Sequence, residues 1–423
     1  MDKGFSGLLP LHNHAWQFNP NYVGTCRWAI VVLVLLIAGV VWPLTSAWGS
    51  TEIRLGEINP LTGHLAQHGL EIHQGIVYAV EEVNSQGGIE GRRVKLCSRD
   101  DRSRPETALN QAQELILREK VTALVGGYVD SLVGPVSELA GKYGVPYVAS
   151  ASLQQALTRQ RRNPYFFRVS RLDGIVGPLS RFLLEILKAR RVAILHVATP
   201  GSTEFAEALK DRLTKGGVVI PLVEKFRPGT RDFSMFLLKV KQAQVDILIS
   251  GGFYPDNLIL VRQWRELGLP LKALAAPWGA SYAGFIAALG PASEGVLGTC
   301  AWNPGITWPG TEAESQRLVT GFCRRFGQEP NTTTMHGYTS ARALLLALGR
   351  VLQRRQPLTG ANLAQALREL DIVLPMGPLR FDEYGDPLFY QQVVVQVQQG
   401  KMVVIYPAER ATGTLRPLMT SCP

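Results

Sequence analysis

From residue 53 to residue 101 the chain reads IRLGEINPLTGHLAQHGLEIHQGIVYAVEEVNSQGGIEGRRVKLCSRDD: an apolar β-run, a turn, a long helical stretch, a Gly-rich turn and a second β-run. Few folds accommodate that order. Pro60 and Gly63 close the first run, so the residues after it stand at the carboxyl end of a strand, which is where open α/β sheets bind ligands. The rhythm continues through VTALVGG, SLVGPVSELAGKYG, VPYVASAS and an extended YFFRVSR, each bounded by Gly or Pro. Leu179, Phe182, Leu183 and Ile186 then recur at helical spacing and lead into the buried-strand run RVAILHVA. A second parallel sheet is expected from about residue 190. It continues through a helix at 203–215, a strand at 218–226, a helix at 233–241, the strand VDILISGG, a helix at 256–267 and a short strand at 271–275, all joined by right-handed crossovers. Helices over 312–326 and 339–352 interrupt the pattern before short strands near 379–381, 392–397 and 402–406, as if the chain returned to its first half.

The 423 residues exceed one ordinary domain, and 46% hydrophobic against 18% charged content supplies two sizeable cores. Before them, Arg27 precedes the apolar run WAIVVLVLLIAGVVW, followed by Pro43 and the small residues Thr45, Ser46 and Ala47. This is the layout of a secretory signal, and the run is shorter than the roughly 20 residues of a spanning helix. Two readings stand, removal near Ala47 or retention as an N-terminal anchor, and both predict export. Cys26 precedes the apolar run, so no lipid-bearing terminal cysteine is expected. Cys97, Cys300, Cys323 and Cys422 would meet an oxidising compartment, where two disulfides in any of three pairings or free thiols are open.

The formal charge is +10; Lys3 and Arg27 against Asp2 leave +9 on the exported part. The excess is scattered in short clusters, among them Arg159 with Arg161 and Arg162, and Arg324 with Arg325, which read as solvated helix ends. No module interleaves basic and aromatic residues, so no nucleic-acid partner is expected. The chain has no G-x-S-x-G elbow, no H-E-x-x-H, no phosphate loop and no Cys-x-x-Cys, and no catalytic residue is expected. GGIEG at 87–91 precedes a strand instead of following one, so it reads as a positive-φ turn. His64, His68 and His73 span a loop and a helix start with no obvious acidic partner, so neither a metal nor a cofactor is expected.

Four segments, INPLTGHLAQHG, AVEEVNSQGGIEGRRVKL, DFSMFLLKVKQAQVDILISGGFYPD and MGPLRFDEYGD, carry a family resemblance in their order along the chain. From about residue 53 to 406 it resembles the branched-chain amino-acid-binding family of ABC transporter solute receptors. The resemblance implies an α/β type I periplasmic binding fold, two Rossmann-like lobes with parallel sheets joined by three crossover hinges. It implies a periplasmic protein that closes on a small-molecule ligand and docks on a membrane permease. The expected division is 1–50 leader, 51–170 and 301–377 lobe one, and 171–300 with 378–423 lobe two.

The loop 126–131 ends a strand and opens a helix, so its free amides and the Ser131 hydroxyl suit an anionic group, with Tyr128 at the rim. Asp130 or Ser131 could equally cap that helix. By resemblance, Ala151, Ser152 and Leu153 form a second loop that meets a ligand carboxylate, with Leu153 where relatives carry Thr. Phe253 takes the position of an aromatic ring over the ligand, with Tyr254 beside it. Trp278 stands where amino-acid binders place an acid against the ammonium group, Gly201-Ser202 replaces a Tyr-Gly pair, and His68 replaces an aromatic residue after Gln67. These departures point away from a standard amino acid and toward an apolar or aromatic acid, an amide or a larger hydrophobic molecule stacked on Trp278 and Phe253. Asp130 as a substitute ammonium partner keeps amino-acid-like ligands open. The alternative function is a periplasmic carrier or sensor subunit with a partner other than a permease.

Overall fold

A computed structural model describes residues 52–418; the leader, Cys26 and Cys422 lie outside the described residues. Strand β1 (Ile53–Asn59) is buried at all but one position, as a parallel strand covered on both faces must be. It is followed by α1 (Ala66–Ser85), β2 (Val94–Asp100), α2 (Pro105–Leu117), β3 (Ala123–Tyr128), α3 (Asp130–Lys142), β4 (Tyr147–Ala151), the single turn α4 (Ala156–Arg159) and β5 (Phe166–Arg168). These strands form one parallel sheet in the order β2-β1-β3-β4-β5. The order reverses between β1 and β3, which opens a crevice at their carboxyl ends.

After α5 (Asp173–Arg181), which widens into a π-helical turn at Phe182–Ile186, the plan repeats. It runs β6 (Arg191–Val197), α6 (Pro200–Lys215), β7 (Val219–Phe226), α7 (Ser234–Gln242), β8 (Ile247–Gly251), α8 (Tyr254–Leu267), β9 (Ala273–Ala275), α9 (Ala283–Leu289) and β10 (Leu297–Cys300). The second sheet has the order β14-β13-β10-β9-β8-β6-β7, so β6 and β8 flank a second switch point. β13 (Val393–Gln398) and β14 (Lys401–Tyr406) join it antiparallel. Between β10 and β13 lie α10 (Glu312–Phe326), α11 (Thr332–Gln353), α12 (Gly360–Arg368) and the hairpin β11 (Ile372–Leu374) and β12 (Gly377–Leu379). α11 shares the core of the first sheet, where its Leu344 and Leu348 pack with Ile72 and Ile76 of α1. The chain thus passes between the two lobes three times.

Several boundaries differ from the periodicity. α6 starts at Pro200 because a proline fits the first helical position. α11 starts at Thr332, where the Asn331 side chain accepts a hydrogen bond from the Thr334 amide at 3.0 Å. The strand expected near 379–381 is the hairpin β11–β12. The turn at 87–91 has the positive φ values read from its glycines. Cys97, Cys300 and Cys323 are free thiols. Most of the clustered arginines are exposed, as read: Arg161, Arg162 and Arg324 lie on the surface and Arg325 holds Glu81 there through two bonds of 2.8 and 2.9 Å, while Arg159 is half-buried and pairs with Asp382 and Asp386. No helix among the described residues is long and apolar enough to cross a membrane.

Candidate functional site

The carboxyl ends of both sheets face a cleft of about 690 Å³, its mouth included, within the usual range for small-molecule sites. Strand β3 enters it through Gly126 and Gly127 and ends at Tyr128; Val129 then takes a φ of +64° and α3 begins at Asp130. The side chains of Asp130 and Ser131 do not cap α3, which corrects that reading. Asp130 instead reaches across to the loop after β4. Its Oδ1 accepts from Ser152 Oγ at 2.7 Å and from the amides of Leu153 and Gln154 at 2.8 Å each. The loop is held from behind by Arg168, fully buried, which donates to the carbonyls of Ser152 and Gln154 and pairs through Nε with Asp386 at 2.7 Å. Ser170 Oγ accepts from the Ser152 amide at 3.1 Å.

On the facing lobe, Trp278 packs on Phe205 with ring centroids 4.9 Å apart and on Phe253 at 6.5 Å. Phe253 also meets Tyr128 at 6.0 Å across the cleft. Of the residues singled out in the sequence, Tyr128, Asp130, Ala151, Ser152, Leu153, Phe253 and Trp278 all line this space. His68, Ser131 and Tyr254 do not. His68 is buried, not at a solvent-facing helix start: its ring sits 4.8 Å from Tyr128 and 5.2 Å from Tyr282, with Nε2 lacking any hydrogen-bond partner. Tyr254 stacks edge-on against Tyr282 behind the wall, and Ser131 is half-buried on α3. His73 accounts for itself by a bond of 2.9 Å to Glu57 in β1, and that carboxylate raises its pKa. Among the described residues no group of three or more His, Cys, Asp or Glu could hold a metal.

Sequence reasoning missed the deep wall. Thr299 comes from the end of β10, Thr333 and His336 from α11, Tyr390 and Gln392 from the third crossing. Tyr282 and Thr333 join the lobes by a bond of 2.8 Å between their hydroxyls. Gln392 Nε2 donates to Tyr390 Oη at 2.6 Å, and that phenol lies 3.0 Å from His336 Nε2. Burial without a charged partner pushes the His336 pKa down to about 4, so its ring is neutral. The sequence signal for these residues is weak: Gln392 stands just before the apolar run VVV, and Thr333 and His336 lie in the polar segment TTTMHGY.

Two α/β lobes of one strand order, each turning a switch point toward a shared cleft, define a hinged two-lobe binding protein. Residues 52–401 match the model of the family described as periplasmic binding protein, and the chain belongs to that family. It is 28% identical over 362 residues to an amino acid binding protein of Pseudomonas aeruginosa, covering 84% of this chain and 92% of that one. It is also 28% identical over 370 residues to the Leu/Ile/Val-binding protein homolog 2 of Brucella abortus, with 86% and 96% covered. A leucine binding protein from Thermotoga maritima superposes with a TM-score of 0.75 at 26% identity, over 84% of this chain and 97% of that one. A solute binding protein of Rhodopseudomonas palustris, solved with 3,4-dihydroxybenzoic acid, shares the fold with a TM-score of 0.74 at 22% identity, over 84% and 96%.

Proposed function

We propose that the leader exports the chain to the periplasm, where the lobes close on a small organic solute and present it to a membrane permease without chemical turnover. The moving bodies are 51–170 with 301–377 and 171–300 with 378–423. The loops at Tyr128, Asp130 and 151–153 take the polar end, and Phe253 and Trp278 cover the apolar end. The observation that supports this most is the pair of switch points facing one cleft, with aromatic walls on one side and convergent hydrogen-bonding groups on the other. Single strands of chain at the three crossings are suited to hinge closure.

A thermal-shift screen of amino acids, amides, aromatic acids and lipids tests the reading. A true solute at 100 times its Kd stabilises the closed protein by about 2.7 kcal/mol and raises the melting temperature. If no compound of any class does so, the solute-capture reading fails. For whichever compound binds, Trp278→Ala is expected to weaken affinity about tenfold or more by removing an aromatic wall, measured by titration calorimetry.

A further inference from the structure

We propose that this cleft selects ligands without a free carboxylate, taking a carboxamide or a monocation whose N–H groups meet acceptors at both ends; the proposal rests on the solute-capture reading above. The loop expected to receive a ligand carboxylate already holds one. Its two amides and the Ser152 hydroxyl all donate to Asp130 Oδ1. The second oxygen, Oδ2, lies against Gly201 so closely that a Cβ there would stand 2.1 Å away, and among the described residues the hydrogen bonds to the Asp130 side chain all fall on Oδ1. Among the described residues Asp130 is the single formally charged side chain lining the cleft, and the neutral His336 supplies no compensating cation. An incoming anion would therefore be desolvated beside the Asp130 carboxylate, with no cationic side chain lining the cleft among the described residues.

The far end is also built for a donor. Thr299 and Gln392 are 2% and 5% exposed, and Thr299 Oγ1 and Gln392 Oε1 have no hydrogen-bond partner. The two come from neighbouring segments of the cleft floor: Thr299 pairs with Val394, and Gln392 is the residue immediately before β13. The Gln392 amide is oriented by its bond to Tyr390, so the oxygen is the atom left open. The Gln392 amide oxygen can only accept, so a ligand N–H relieves it where a carboxylate oxygen cannot, while the Thr299 hydroxyl can accept from the one or donate to the other. At the other end an N–H on Asp130 Oδ2 gains a charge-assisted bond.

The test is calorimetric titration of the full chain with two matched pairs, benzamide against benzoate and leucinamide against leucine, together with benzamidine. The amides, or benzamidine over benzoate, are expected to bind about tenfold or more tightly than the matching acids. Asp130→Asn keeps an oxygen for the three loop donors and turns an N–H toward the cleft, so it should narrow or reverse that ratio, while circular dichroism reports whether the variant is folded. The ratio in the unaltered protein decides the matter even if the variant does not fold. Benzoate or leucine binding as tightly as its amide overturns the proposal, as does binding of none of the five. Solute capture survives either result if any other compound of the thermal-shift screen binds.

Discussion

At the scale of single residues, buried charge decides what the cleft can hold. Arg168 sends one arm to Asp386 and another to the loop carbonyls, and so turns the amides of that loop toward Asp130. Removing one member of a buried pair leaves the other uncompensated. Arg168→Met is expected to destabilise the protein by about 3 to 5 kcal/mol, read by urea unfolding. His336 supplies a pH test. Its pKa falls from 6.5 to about 4 on folding, so between those values the unfolded chain binds the extra proton. Stability from this residue is present above the unfolded pKa and is lost as pH falls toward the folded one. His336→Gln retains an acceptor for Tyr390 and does not titrate. Its stability should therefore fall less than the unaltered protein's between about pH 7 and about pH 4.5, by about 2 to 3 kcal/mol.

At the scale of elements, the crossing of α1 and α11 ties the chain's two contributions to the first lobe together. The helices touch backbone to backbone: a Cβ on Gly337 would lie 2.2 Å from the Ile72 carbonyl oxygen, and one on Gly75 would lie 2.0 Å from that of Thr334. Rigid backbone cannot yield as a side-chain tip can. Gly337→Ala is expected to cost about 1 to 3 kcal/mol despite alanine's better helix propensity, seen as a lower melting temperature. Most of the strand and helix order up to β9 was legible from periodicity, because parallel strands buried on both faces are continuous apolar runs, but α2 and the single turn α4 were not read. The start of α11 was not, since TTTMH has no apolar stripe and its burial comes from a helix far away in sequence.

At the scale of the whole molecule, closure rests on a few contacts between lobes. The Gln155 amide donates to Glu204 Oε2 at 2.8 Å, and Tyr282 meets Thr333. Glu204 is half-buried, and its burial raises its pKa. Glu204→Ala should leave folding intact and favour the open form, weakening affinity for any bound solute about threefold to tenfold, with a larger radius of gyration in solution scattering.

Residues of the near walls of the cleft could be named in advance, Tyr128 and Asp130 because their loop ends a strand and opens a helix, and Ser152, Phe253 and Trp278 through the family resemblance. What Asp130 does was beyond reach of sequence, since its partners are more than 20 residues away and a hydrogen bond has no sequence period. Gln392, Thr299 and His336 likewise meet only because three crossings fold distant segments onto one floor. Amino-acid order by itself determined two parallel α/β lobes and the loops that face each other, through the pattern of apolar burial. The tertiary structure alone decided which polar atoms are already satisfied and which are left for a ligand, because that depends on distances between segments and not on their composition.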